Sequence, residues 1–143
     1  MQIFISSKKI HSQDDLFKQK NSRGIFFIAA SQFVLGLIVA EALYPGYSIS
    51  TNYISDLGVG PSSIVFNVSI FLLGLLSIIG TYYLQRAFNL KVVTILLTIA
   101  AVAAMGVGIF TENSEPMHMF ASFFVFLFSG LSAIFSCRLM KYP

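Results

Sequence analysis

The 143-residue sequence predicts an all-α fold, an integral membrane four-helix bundle. Both termini are expected on the cytoplasmic side (N-in/C-in), with an ordered outer loop between helices one and two. Three observations predict it. The chain is 56% hydrophobic and only 10% charged, whereas soluble domains carry about 25% charged residues. A chain this short leaves much of its surface exposed, so it cannot hide that apolar content in one aqueous core. The apolar residues gather into four uninterrupted runs, each near the roughly 20 residues that span about 30 Å of hydrocarbon. All nine Lys and Arg residues fall in segments that an even number of crossings places on one side.

The leader, residues 1–24, is polar and carries Lys8, Lys9, Lys18, Lys20 and Arg23. Its Ser12-Gln13-Asp14-Asp15 start, followed by Leu16 and Phe17, fits either a short helix on the inner leaflet or an unstructured tail. The first apolar run is too long for a signal h-region and reads as an uncleaved anchor. The transmembrane domain is expected over 25–140, with spans near 25–44, 64–83, 92–110 and 117–140. Backbone groups in lipid must pair within the segment, and continuous runs without ten-residue alternation are helices, not barrel strands.

The connections agree. Pro45–Gly60 is rich in turn formers and is followed by Pro61 at a helix start. A tight turn is expected around Gln85–Lys91, flanked by Arg86 and Lys91. Thr111–Glu115 precedes Pro116, which opens the last helix, with Ser114 or Glu115 available as its cap. Arg138 and Lys141 close the chain. The positive-inside bias then puts the basic segments in the cytoplasm of the cell membrane and Asp56, Glu112, Glu115 and His118 outside.

Small and weakly polar residues mark contacts between helices in lipid. Four stripes stand out: Gln32, Gly36 and Ala40; Asn67, Gly74, Ser77 and Thr81; Thr94, Thr98, Ala101, Met105, Gly108 and Glu112; and His118, Ser122, Val125, Ser129, Ser132 and Ser136. Phe120, Phe124 and Phe128 face away from the last stripe. Packing alone explains these patterns.

Acids and histidines near membrane depth are expensive and usually face an interior or an aqueous space. The candidate outer-face polar site is Asp56, Glu112 and His118, with Ser55, Asn52 and Glu41 around it. Carboxylate–imidazole sets can bind a divalent cation, hold a phosphate headgroup through it, or relay protons. Each residue also has a structural reading: Glu41 reaching the headgroups, Asp56 forming a turn, Glu115 at a helix start, His118 bonding a loop carbonyl. Glu41 lies about 180° from Gln32 at 100° per residue, so the two cannot share a seam. No metalloprotease, nucleophile-elbow or phosphate-loop motif is present. With two histidines, a three-histidine zinc site is excluded. Cys137 is the single cysteine, so no intrachain disulfide forms.

Two stretches, YPGYSISTNYISDLGVGPSSIVF (44–66) and GVGIFTENSEPMHMF (106–120), resemble a mostly archaeal integral-membrane family catalogued as domain of unknown function 998. The matching elements are Pro45-Gly46-Tyr47-Ser48, Asn52, Ile54-Ser55-Asp56-Leu57-Gly58, Pro61, Phe66, Gly108-Ile109-Phe110 and His118. The ISDLG element with its Pro and Phe is the most specific. The resemblance implies a membrane bundle without an assigned activity, and a larger bundle in many members, so this chain is expected to lean on a partner.

The expected function is that of a small polytopic, non-catalytic accessory or structural component of a membrane complex. Two alternatives stand beside it: an outer-face lipid-headgroup enzyme or binding protein using Asp56, Glu112 and His118, and a small ion-coupled transporter. The transporter has least support, because no ionisable residue lies near the midplane. No cofactor is required by the sequence, and whether a metal binds is left open. The lipid bilayer is the expected partner, beside a protein partner or homo-oligomer; nucleic acid is not expected.

Overall fold

The computed structural model describes residues 2–139, with side chains over 13–138. The side chains of Lys8, Lys9 and His11, and residues Met140 and Lys141, lie outside the described residues. Four α-helices make up the fold: α1 (Gln2–Leu43), α2 (Ser63–Phe88), α3 (Lys91–Ile109) and α4 (Met117–Leu139). Each is long and apolar enough to cross a membrane. Short 3-10 turns at Ile54–Gly58, Gly60–Ser62 and Glu112–Ser114 complete the described elements.

The helix boundaries follow local chemistry. The leader continues directly into the first span as one helix, which no proline interrupts. Lys18 pairs with Asp14 at 3.5 Å and Asp15 at 3.6 Å, one turn back on the same face. Helix α2 runs past Tyr83 to Phe88 because Asn89 takes the left-handed conformation (φ 53°) that asparagine tolerates. The Asn89 N–H closes the helix on the Gln85 carbonyl at 3.0 Å. The Gln85 amide donates to Asn89 Oδ1 at 2.9 Å and accepts the Thr94 hydroxyl at 2.7 Å, so the turn into α3 is shorter than the sequence suggests.

Helices pack in chain order: α1 on α2, α2 on α3, α3 on α4. The α1–α2 seam holds Ser22, Ala29, Gln32, Gly36 and Ala40 at near-heptad spacing. Ser22 Oγ donates to the Gly80 carbonyl at 3.1 Å, and Gln32 Nε2 to the Ser69 carbonyl at 3.0 Å. Gly36 lies against the Ser69 side chain, where a Cβ would collide. Across α2–α3, a Cβ on Gly74 would collide with the Ala101 carbonyl and sit 2.9 Å from the Met105 nitrogen. Gly108 meets the Asn67 backbone in the same way. These contacts place Gln32, Gly36, Ala40, Gly74, Ala101, Met105 and Gly108 in seams.

The α4 stripe behaves differently. Ser132 is buried, but Ser129 is exposed and donates to the Val125 carbonyl of its own helix at 2.6 Å. Ser132 and Ser136 likewise bond carbonyls one turn back. The serine hydroxyls thus bond along α4. Yet apart from Ser129 the stripe (His118, Ser122, Val125, Ser132 and Ser136) is the less exposed side of the helix that packs on α3, while Phe120, Phe123, Phe124 and Phe126 are exposed.

Candidate outer-face site

The outer loop is fixed by a plug. Leu57 is 0% exposed and packs with Ala40 and Phe66, with Phe33, Leu37, Tyr44, Tyr47 and Val65 packed against them. Ser62 Oγ donates to the Leu57 carbonyl at 2.9 Å, and Asn67 Nδ2 to the Gly58 carbonyl at 3.0 Å. A Cβ on Gly58 would lie 2.9 Å from Asn67 Oδ1 and 3.3 Å from the Phe66 ring, so any larger residue would displace the Asn67 amide that bonds the Gly58 carbonyl. Leucine, glycine and phenylalanine of the ISDLG–P–F pattern thus hold the loop down, with Pro61 at the start of the turn leading into α2.

Asp56 sits on top of this plug. Its Oδ2 accepts the Tyr53 backbone N–H at 3.1 Å and Asn52 Nδ2 at 3.0 Å. Asn52 Oδ1 in turn accepts the Ser48 N–H at 3.2 Å and the Thr51 hydroxyl at 3.3 Å. One carboxylate therefore ties residues 48–53 to the Ile54–Gly58 turn.

From the other loop, the Glu112–Ser114 turn packs against Ile54–Gly58 and brings the Glu112 carboxyl to Asp56 and Ser55. The donors from Asn52 and Tyr53 hold Asp56 below the usual carboxylate range, led by Asn52 and opposed by desolvation. Glu112 is pushed up, first by burial and then by Asp56, while the His118 imidazole and Ser55 pull it down. Each carboxyl disfavours ionisation of the other, so their proximity favours the protonated form on Glu112 and the ionised form on Asp56.

His118 lies at the first turn of α4, and its Nδ1 is 2.7 Å from the Phe110 carbonyl. A carbonyl only accepts, so Nδ1 carries the hydrogen and ties the start of α4 to the end of α3. The ring is near enough to act on Glu112 but makes no ion pair with it within 4.0 Å among the described residues. Glu41 acts on Tyr47, as Asp56 does. Among the described residues no group of three or more His, Cys, Asp or Glu side chains could hold a metal ion.

Tyr47 is the participant that residue types alone did not single out. Its hydroxyl is buried without a hydrogen-bond partner among the described residues. Desolvation, then Glu41 and Asp56, raises its pKa. The one signal was its place in the Pro45-Gly46-Tyr47-Ser48 element.

No curated protein and no solved structure matches the chain. The family model described as Protein of unknown function (DUF998) matches residues 27–141, which begins within α1 and takes in α2, α3, α4 and both outer loops. The chain is a multi-pass membrane protein and belongs to that family.

Proposed function

We propose that the protein is a non-catalytic accessory or structural component of a complex in the cell membrane, with both termini cytoplasmic. The observation that carries this reading is how the outer polar residues use their atoms. Asp56 caps its own turn, Asn52 bridges to it, and His118 ties α4 to α3. Each is engaged with the chain itself. Helices α1 and α4 each have one principal helix neighbour, which leaves lateral faces for other membrane components. The orientation rests on charge: among the described side chains, six cations lie at the end holding the chain termini and two acids there are bridged by Lys18. The opposite end holds Glu41, Asp56, Glu112 and Glu115 and no Lys or Arg.

The outer-face headgroup site is the second reading, favoured by one observation. Asp56 and Glu112 differ in proton affinity in opposite directions, the pattern of a base beside an acid. Native mass spectrometry of gently solubilised membranes, combined with Glu112→Gln and His118→Gln variants, separates the two. The accessory reading expects a hetero-oligomer of fixed stoichiometry that is lost in step with thermal stability. A lone chain that retains phospholipid, and loses that lipid in the variants at unchanged stability, would overturn it in favour of the headgroup site.

A further inference from the structure

The basic end of the bundle has more apolar surface than a spanning helix requires. Residues 24–43 already cover about 30 Å at 1.5 Å per residue, the thickness of the hydrocarbon. Helix α1 nevertheless continues unbroken beyond them. Leu16 and Phe17, seven and six positions before Arg23, reach about 10 Å further along the axis. They are each 59% exposed and line an open hollow with Gln13 and Asp14.

The antiparallel seam sets what stands beside them. Ser22 bonds the Gly80 carbonyl, so stepping outward along both helices brings Arg86 and Phe88 to the level of Leu16 and Phe17. Tyr82 and Tyr83 pair edge-to-face just above, at 5.6 Å between ring centroids, where an interfacial aromatic belt would sit. Lys20, Arg23, Arg86, Lys91 and Arg138 are all exposed at this end. The acids there, Asp14 and Asp15, face Lys18.

We propose that this end is a docking surface for anionic phospholipid headgroups, with Leu16 and Phe17 seated among them and the five exposed cations around them. Charge complementarity and continuity with the bilayer that already surrounds the spans favour lipid over a protein occupant. The surface uses none of the outer-face residues and rests only on the chain spanning a membrane.

A polarity-sensitive fluorophore at Phe17→Cys, in a Cys137→Ser background, tests the proposal with the full chain in nanodiscs. One set holds phosphatidylcholine alone and the other adds phosphatidylglycerol. The expected result is a blue shift in the phosphatidylglycerol discs that high salt reverses. Combining Lys20→Gln, Arg23→Gln and Arg86→Gln should abolish the shift, since a cation near an anionic surface is worth about fivefold in attraction. The same probe at Ser50→Cys, in the acidic outer loop, should not respond. Equal emission in the two lipids overturns the proposal. So does a shift that follows the number of protein copies per disc, which would mean a second chain as the occupant.

Discussion

The first half of the molecule and the last helix are built on opposite plans. From α1 through the outer loop into α2, glycines let neighbouring side chains approach the backbone closely, Gly36 against Ser69 and Gly58 against Asn67 and Phe66, and Leu57 is buried with Ala40 and Phe66. Helix α4 instead shows Phe123, Phe124 and Phe126 outward and leaves Gly130 with no atom within 4 Å of where a Cβ would stand. Its serines bond their own helix, and it meets the outer loops through the Glu112–Ser114 turn and through His118 on the Phe110 carbonyl. Lipid supplies no hydrophobic drive between helices, so close approach and polar contacts decide which helices are fixed. The difference teaches that α1, α2 and the outer loop form the rigid part, and α4 is held mainly through α3.

Matched substitutions can break that contrast. Leu57→Ala should produce the largest effect, about 2–5 kcal/mol of lost stability, because it empties a fully enclosed site. Phe124→Ala on the lipid-facing side of α4 should stay near the ±0.5 kcal/mol of ordinary surface changes. Thermal unfolding in detergent, followed by circular dichroism, measures both; similar losses would contradict the two-plan reading.

Glycines sharpen it at intermediate scale. Gly74→Ala puts a methyl into the Ala101 carbonyl and Met105 backbone and should cost about 1–3 kcal/mol. Gly130→Ala meets nothing and should stabilise α4 by up to about 1 kcal/mol through helix propensity alone. Opposite signs in the same melting assay are expected. A loss at Gly130 would mean that α4 has a close neighbour of its own.

The smallest effect is the pH dependence of the contact between the two outer loops. The folded pKa of Asp56 lies below its ordinary value, so its contribution is present above that value and lost as pH falls through the lowered one. Glu112 is raised, so its contribution is present below the ordinary glutamate value and lost as pH rises through the raised one. The contact is therefore tightest between them, and melting temperature should decline as pH rises from the ordinary glutamate range upward. Glu112→Gln, which keeps a donor toward Asp56 without a titrating proton, should flatten that decline. An unchanged slope would show that the pair does not carry it.

The four spans were legible because each must cross the hydrocarbon without a Lys or Arg before its last turn. Seams in α1, α2 and α3 were legible because Gln32, Gly36, Gly74 and Gly108 are residues whose size or polarity serves a close helix neighbour. Ser129 misled for a definable reason, since a serine in lipid satisfies its hydroxyl on its own helix as readily as across a seam. The length of α1 was hidden too, because helix continuity through Arg23 and Gly24 depends on the absence of a breaker and not on any positive mark. Outer-loop bonds were hardest to read. Beside the Asp56 and Asn52 side-chain oxygens, three of their acceptors are backbone carbonyls of Leu57, Gly58 and Phe110, and a carbonyl has no residue type to announce it.

Whether the outer polar residues form a structural tie is tested most directly by a double-substitution cycle. Asp56→Ala, Glu112→Ala and the double variant would be melted in nanodiscs at mildly acidic pH, with wild type as the fourth corner. If protonated Glu112 and ionised Asp56 join the loops, the double variant should melt close to the weaker single one, because the second substitution removes a contact already lost. Strict additivity of the two losses would show that Asp56 and Glu112 act separately and that the loops are not tied through them.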